Sequence, residues 1–261
     1  MRNVPLTARS VLASVLLGTD PPWLPTPLLV RTGALFGIAE GAVRTALSRM
    51  TTGGEVVAER NGYRLAGHLV ERQHRQDTSR RAEVREWDGT WELSSVADDA
   101  ARSASDRATL RRALGTLRLA ELREGLWGRP DNLDPARSPD AAGVVETWCA
   151  RWTGAVPSAP PDLVQLWGLD GWAAEARPLR RDMATLVDAL ETDDSTALAD
   201  GFVTSAGVLR LFQHDPLLPA ELLPPAWPGA ELRREYDRFD RAYRGALRAW
   251  FRAGGDTPTV G

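Results

Sequence analysis

The segment at residues 38–50, IAEGAVRTALSRM, constrains this chain more than any other. If it forms a helix, Val43, Leu47 and Met50 fall on one face, because they are spaced at i, i+4 and i+7. The opposite side carries four polar or basic side chains: Arg44, Thr45, Ser48 and Arg49. Such side chains suit phosphate oxygens and base edges, whereas a catalytic helix usually keeps a carboxylate or a histidine on its working face. The segment is therefore typical of a DNA recognition helix, and the alternative is a surface helix with a solvated basic face.

The preceding residues favour the first interpretation. Thr7 can cap a helix over residues 8–17, and a loop is predicted at residues 18–25 because three prolines and a glycine disfavour regular structure. A threonine followed by a proline then starts a second helix over residues 26–35. The third helix follows after a short turn at Gly37, which is the spacing of a helix-turn-helix.

A β-hairpin is predicted directly after the third helix. Two short β-prone runs, at residues 55–58 and 63–65, flank an Asn-Gly pair. Three helices followed by a hairpin is the order of a winged helix-turn-helix. Arg60, Asn61 and Arg64 would then lie on or beside the wing, within reach of phosphates or the minor groove. A hairpin in this place could also be purely structural.

Charge is distributed unevenly along the chain. Residues 1–81 contain 11 arginines and 6 acidic residues, whereas the remainder contains 21 arginines and 29 acidic residues. A basic N-terminal module on an acidic body indicates that only the first part meets a polyanion. The chain has no lysine, so the abundance of arginine is by itself weak evidence for nucleic-acid contact.

Composition argues against membrane proteins, secreted proteins and proteins with disulfides or cysteine metal sites. No apolar run approaches the roughly 20 residues that a membrane span needs, and residues 1–10 lack the order of a secretory signal. The single cysteine, Cys149, excludes an internal disulfide and a multi-cysteine metal site. We therefore expect a cytoplasmic protein without a membrane partner and without a cofactor.

Three domains and a linker are predicted, in an α+β multidomain chain. A winged helix-turn-helix spans residues 1–68, and a polar linker that can be partly helical, 69–86, follows it. The alternation of Trp91 to Val96, a helix from about Ser103 and two strands near residues 119–127 predict a ferredoxin-like middle domain at 87–156. Residues 157–261 read as a helical C-terminal domain, in which the apolar, proline-broken run at 215–229 should pack on the helices.

Four stretches together resemble the PaaX family of bacterial transcriptional repressors, named for the regulator of phenylacetic acid degradation. They are TARSVLASVLLG at 7–18, FGIAEGAVRTALSRM at 36–50, WDGTWEL at 87–93 and DPLLPAELLPPAWPG at 215–229. The resemblance implies an N-terminal winged helix, a middle domain of Cas2-like ferredoxin topology and a helical C-terminal domain. It also implies homodimers that repress catabolic promoters and are released by an aryl-CoA thioester such as phenylacetyl-CoA.

Enzymatic interpretations are weaker. The Cas2 likeness suggests a metal-dependent nuclease, but Asp88, Asp98 and Asp99 only flank a strand and Glu92 is isolated within it. Cys149 lies in an apolar run, which favours a buried structural thiol. No glycine-rich phosphate loop is present. We therefore expect neither catalytic nor metal-binding residues.

The function predicted from these patterns is a DNA-binding transcriptional regulator that acts as a homodimer on double-stranded DNA. A repressor relieved by an acyl-CoA or an aromatic acid is expected, and a winged-helix adaptor that binds proteins instead of DNA is the alternative. Trp91, Trp127 and the apolar face of residues 231–251 are candidates for the dimer interface. The effector residues cannot be chosen, but the body contains tryptophans with arginines near them in sequence: Trp148, Arg151, Trp152, Trp167, Trp172, Arg180, Arg181, Trp227, Arg248 and Trp250.

Overall fold

The computed structural model describes residues 6–96, 103–159 and 161–253. These residues form an α+β structure with helices and two small antiparallel sheets. Two compact units make up the chain. The first comprises Met1–Arg80, Ala176–Gln213 and Ala230–Gly261, and the second comprises Arg81–Glu175 and His214–Gly229. These units differ from the predicted domains because the C-terminal helices share a unit with the N-terminal elements.

The first unit begins with the predicted order of three helices and a hairpin. Thr7 caps the first helix, because its hydroxyl accepts a hydrogen bond from the Ser10 amide while Ser10 bonds back to Thr7. Val11, Leu12, Val15 and Leu16 form the buried side of this helix, as their spacing predicts. The elements are α1 (Ala8–Leu17), β1 (Trp23–Pro25), α2 (Thr26–Leu35), α3 (Glu40–Thr52), β2 (Val56–Glu59) and β3 (Gly62–Leu65).

Strand β1 was not predicted, and the expectation of a loop throughout residues 18–25 is wrong. β1 pairs antiparallel with β3, which also pairs with β2, so the sheet order is β1-β3-β2. An edge strand tolerates Pro25, since one side of its backbone needs no hydrogen-bonded neighbour. A Cβ atom on Gly62 would lie 2.3 Å from the carbonyl oxygen of Leu24, so glycine at this position permits β1 to approach.

Residues 69–86, predicted as a linker, are largely helical. Helix α4 spans His68–Arg81, and its Leu69 is fully buried. The side-chain amide of Gln73 donates to the carbonyl oxygens of Leu17 and Thr19 at 3.0 and 3.3 Å. The sequence predicts helix here only in part, because apolar residues are sparse along this segment.

Three long helices complete the first unit: α8 (Leu169–Glu191), α9 (Leu198–Gln213) and α10 (Gly229–Ala253). Phe212 packs edge-on against Tyr236, with ring centroids 5.6 Å apart. The guanidinium group of Arg80 donates to Asp237 and Asp240, each at 2.8 Å, and so ties α4 to α10. No helix in the described ranges is both long and apolar enough to cross a membrane.

A four-stranded sheet with helices forms most of the second unit. Its elements are β4 (Trp91–Val96), α5 (Ala104–Thr116), β5 (Ala120–Arg123), β6 (Leu126–Pro130), α6 (Pro139–Trp148), β7 (Cys149–Ala155) and α7 (Leu163–Trp167). The sheet order is β5-β6-β4-β7, and every pairing is antiparallel. Pro139 in the first turn starts α6, so the segment between β6 and α6 is short. Leu110, Leu114, Leu117 and Val145 lie in the core between the helices and the sheet.

The proline-broken run after α9 packs on a C-terminal helix as predicted, because Trp227 stacks on Trp172 near the start of α8, with ring centroids 4.5 Å apart. Arg129, on β6 and fully buried, donates to the carbonyl oxygens of Pro216 at 3.1 Å and Leu217 at 3.0 Å. Asn132 also donates to the Leu217 carbonyl at 3.0 Å. Hydrogen bonds to the backbone, together with the aromatic contact with α8, therefore hold this segment.

Candidate nucleic-acid interface

Helix α3 divides into a buried face and an exposed face as its sequence predicts. Val43, Leu47 and Met50 are 0–1% exposed. Met50 is followed by two further helical residues, and Gly53 ends the helix. The four residues predicted for DNA contact are all exposed: Arg44, Thr45, Ser48 and Arg49. The helix thus presents donors and acceptors on one side while the other side anchors it in the unit.

Two of these four side chains already have partners on their own helix. The Arg44 guanidinium donates to the Glu40 carboxylate at 2.7 Å, one turn earlier. The Thr45 hydroxyl donates to the carbonyl oxygen of Gly41 at 2.8 Å, which leaves its oxygen free to accept. An exposed i,i+4 ion pair contributes little to stability, so Arg44 can exchange its partner at small cost.

A groove of about 400 Å³ lies between α3 and the start of α1. Its lining is mostly small, with arginine and threonine side chains at the sides: Thr7, Ala8, Arg9, Gly41, Ala42, Thr45, Ala46 and Arg49. Small side chains permit a polymer backbone to approach both helices closely. The Arg49 side chain has no hydrogen-bond or ion-pair partner among the described residues, so its five donors remain available to a ligand in this groove.

Arg9 was missed by the sequence analysis. Its Nε atom donates to both carboxylate oxygens of Glu55, at 3.1 and 2.8 Å. This hydrogen bond raises the pKa of Arg9 and lowers the pKa of Glu55, so both groups stay charged at neutral pH. The pair joins α1 to the chain just before β2 and fixes the guanidinium at the wall of the groove. Nothing local in the sequence indicates it, because the two residues are 46 positions apart.

The hairpin carries the other three predicted residues. Arg60 and Asn61 form its two-residue turn, with Arg60 in the left-handed region at φ 53°. Both side chains are exposed, and the Asn61 carbonyl oxygen accepts from the Thr26 amide at 2.9 Å. Arg64 is half-buried, and its Nε atom donates to Glu59 at 2.7 Å.

A second groove, of about 190 Å³, lies beside the hairpin. Its lining combines two arginines with a carboxylate, a tryptophan and a proline: Arg60, Arg64, Glu59, Trp23 and Pro21. The Trp23 indole N–H donates to the Glu59 carbonyl oxygen at 3.4 Å, which attaches the base of the hairpin to β1. The predicted residues therefore fall into two groups, one on α3 and one on the hairpin, and each group borders a groove.

The residues considered for catalysis have structural contacts. Glu92 is an ion-pair partner of Arg137 and lies within 3.7 Å of Arg129 and Arg151. Such surroundings oppose a cation. Cys149 is half-buried against the core of the second unit. Within residues 6–96, 103–159 and 161–253 no three His, Cys, Asp or Glu side chains are grouped to hold a metal ion. Asp98 and Asp99 lie outside the described residues.

Comparisons with known proteins agree with the sequence resemblance. The family described as PaaX-like protein matches residues 7–69, and the PaaX-like protein C-terminal domain matches residues 167–253. The solved structure of the uncharacterized protein Rv0674 from Mycobacterium tuberculosis is 41% identical in sequence to this chain, with a TM-score of 0.73. The match covers 93% of this chain and 98% of the Rv0674 chain. No curated protein matches significantly. The two matched domains, together with a relative of 41% identity along nearly the whole chain, show that the chain belongs to the PaaX-like family.

Proposed function

We propose that this chain is a sequence-specific DNA-binding transcriptional regulator. PaaX-like proteins are regulators, which makes DNA the expected partner. In the proposed arrangement α1 to α3 form a helix-turn-helix, the β2–β3 hairpin is its wing and α3 enters the major groove. The observation that carries the proposal is the division of α3 into a buried Val43, Leu47 and Met50 face and an exposed face with two arginines, a threonine and a serine.

A salt titration of DNA affinity tests the proposal. Contacts between arginines and phosphates release counterions, so the logarithm of affinity should fall linearly with the logarithm of salt concentration, by about 0.9 per phosphate contacted. The probe is a duplex that the chain selects from a random-sequence pool. The adaptor alternative, in which the winged helix binds a protein, predicts no duplex binding even at 50 mM salt. Absence of binding would therefore contradict the proposal and favour the adaptor.

The remaining parts of the proposal concern the body. We assign residues 1–68 to DNA binding, 87–156 to a ferredoxin-like domain of the Cas2 type and 157–261 to a helical domain, with 69–86 between the first two. The second unit supports this assignment, because its element order of β, α, β, β, α, β and its sheet order are those of a ferredoxin-like domain. Repression of catabolic genes is the proposed regulatory effect.

Homodimerisation is proposed because one recognition helix is insufficient to select a site in a genome, whereas a two-fold pair reads two successive major grooves. The candidates predicted from sequence need correction. Trp91 and Phe239 are 4% and 1% exposed within their own chain, so they cannot form a subunit interface. Trp127 is half-buried and stays a candidate, and Trp152 on the edge strand β7, 49% exposed, joins it.

Sedimentation should therefore show a dimer at micromolar concentration, and Trp152→Glu should shift it toward monomer because a carboxylate cannot be buried without a partner. Val203→Glu is the control, since Val203 is also about half exposed but lies on α9. Monomers of the unsubstituted chain, with and without DNA, would contradict the dimer. Equal dissociation by both substitutions would contradict the role of Trp152.

An acyl-CoA or aromatic acid effector is proposed to bind the body and release DNA. Phosphates require guanidinium groups and an acyl group requires an apolar pocket. Two of the arginines near the tryptophans are paired, since Arg180 contacts Glu231 and Glu235, and Arg151 contacts Glu146. A CoA phosphate at either of these would have to replace a carboxylate, whereas Arg181 and Arg248 are exposed and have no ion-pair partner among the described residues.

The effector should raise the Kd for the selected duplex by the same factor by which DNA weakens effector binding, since the coupling is reciprocal. The measurement is duplex affinity in a panel of acyl-CoAs, phenylacetyl-CoA included, and of free aromatic acids. Free CoA serves as the control for the phosphates alone. If no compound changes the affinity and none raises the Tm, the effector proposal fails while DNA binding stands.

A further inference from the structure

Three arginines at the candidate interface are paired with carboxylates that lie on the same surface. Arg44 pairs with Glu40, Arg64 pairs with Glu59 and Arg9 pairs with Glu55. Arg49 and Arg60, by contrast, have no ion-pair partner in the described part of the chain. A face that has five arginines in its sequence thus presents only two unpaired guanidinium groups to an approaching polyanion.

The three carboxylates differ in exposure, and this separates their roles. The side chain of Glu55 is 13% exposed, and its bidentate bond fixes Arg9 to the fold. The side chains of Glu40 and Glu59 are 56% and 44% exposed. Ion pairs at such exposed positions stabilise a fold little. Glu40 also lies in the first turn of α3, where a carboxylate interacts favourably with the helix dipole, so it is the pairing with the arginines that folding leaves unexplained. We refer to Glu40 and Glu59 as the exposed interface carboxylates.

Of the two carboxylates, Glu40 should affect DNA binding more because of its position. It is the first residue of α3, and residues at the start of a recognition helix are the ones that contact base edges. A carboxylate there repels phosphates and holds the Arg44 guanidinium one turn along the helix. Beside the turn of the hairpin, Glu59 likewise repels phosphates and holds the guanidinium of Arg64.

We propose that Glu40 and Glu59 determine DNA specificity by neutralising Arg44 and Arg64 against non-specific phosphate contact. This inference rests on the proposed function. A phosphate arriving at either arginine must displace a carboxylate and then remain near it, which is unfavourable. The O6 and N7 edge of a guanine is uncharged, so Arg44 can donate to it without bringing a second anion beside Glu40. Discrimination then comes partly from disfavouring the wrong complex.

Charge-removing substitutions test this role with the full chain. Glu40→Gln and Glu59→Gln, singly and together, keep the size of the side chain and remove its charge. The probes are a duplex selected by the unsubstituted chain from a random pool and a scrambled duplex of equal length and composition. Affinity is measured for both from 50 to 300 mM salt, and the Tm of each variant is recorded to exclude a change in folding.

For the scrambled duplex, the double variant should bind about tenfold more tightly at 50 mM salt, and its salt slope should steepen by about 0.9 for each arginine released to a phosphate. Affinity for the selected duplex should rise by only about twofold, so the ratio of the two affinities falls roughly fivefold. Glu191→Gln is the matched control, since Glu191 is also 44% exposed and pairs with Arg238 at 2.9 Å, between α8 and α10. It should change neither affinity.

The outcomes separate this inference from the proposed function. If the unsubstituted chain selects and binds a duplex and the double variant discriminates equally well, the role of the exposed interface carboxylates is overturned and DNA binding stands. An equal gain for both duplexes, or the same gain in Glu191→Gln, also overturns it, because general charge would explain the result. If the unsubstituted chain binds no duplex at 50 mM salt, both the proposed function and this inference fail.

Discussion

The double substitution of Arg44 and Arg49 by alanine should weaken binding to the selected duplex by about 2–6 kcal/mol, because a bidentate contact between an arginine and a guanine contributes about 1–3 kcal/mol. Arg49 should account for the larger part, since it has no partner to give up in the free chain. The measurement is equilibrium binding to the selected duplex at fixed salt concentration. Arg49→Ala alone should also relax preference at the position it reads, which a second selection with the variant would detect.

Arg234→Ala combined with Arg241→Ala is the matched control, because both residues are exposed on α10 and the change in charge is the same. It should alter binding far less than the substitutions on α3. Substitution of Arg60, which has no ion-pair partner among the described residues, should instead weaken binding to all sequences similarly and flatten the salt slope, as expected for a contact with phosphate. Unchanged affinity in the Arg44 and Arg49 double variant would refute the assignment of α3 as the recognition helix.

Local patterns predicted the parts of the fold that depend on local interactions. The 3.6-residue periodicity identified which side of α3 is buried, since Val43, Leu47 and Met50 face the unit and the arginines face outward. The cap at Thr7 correctly placed the start of α1, because a capping box is complete within four residues. The exposure of the α3 candidates is therefore confirmed, while their contact with DNA stays a prediction.

Features that depend on distant partners could not be read from the sequence. Residues 23–25 form a strand only because β3 pairs with them, and Pro25 together with the two preceding prolines made a loop the expected structure. The Asn-Gly pair predicted a hairpin correctly, but Gly62 is needed for the approach of Leu24 rather than for the turn, in which Arg60 has the positive φ. The groove wall at Arg9 requires Glu55, which no periodicity connects to it.

The sequence also did not predict which charged side chains form ion pairs. The i,i+4 spacing of Glu40 and Arg44 permits an ion pair, yet the prediction counted Arg44 as a free donor. Arg129 is a stronger case, because arginine is rarely buried and nothing near it indicates that the run at 215–229 covers it. The sequence therefore indicated which charged residues lie on α3 and the hairpin but not which of them are paired.

Substitution of Arg129 by methionine should destabilise the chain by about 3–5 kcal/mol, the usual cost of removing one member of a buried charged network. The guanidinium is fully buried, and burial is the main cause that lowers the pKa of Arg129 to about 9, so it is still charged at neutral pH. Methionine fills the space of the stem but donates no hydrogen bond. The Pro216 carbonyl would lose its donor, and burying an unsatisfied carbonyl costs about 1–3 kcal/mol.

Arg151→Met provides the matched control for this prediction. Arg151 also lies 3.7 Å from Glu92, but its side chain is 28% exposed and its other partner is the exposed Glu146. Water can replace these contacts, so the control should lose about 1 kcal/mol or less. Chemical denaturation gives the two free energies of unfolding, and limited proteolysis at residues 215–219 reports whether the segment itself is released. Equal stability of the two variants would show that Arg129 does not hold the segment, because Arg129 donates to Pro216 and Leu217 whereas Arg151 donates to neither.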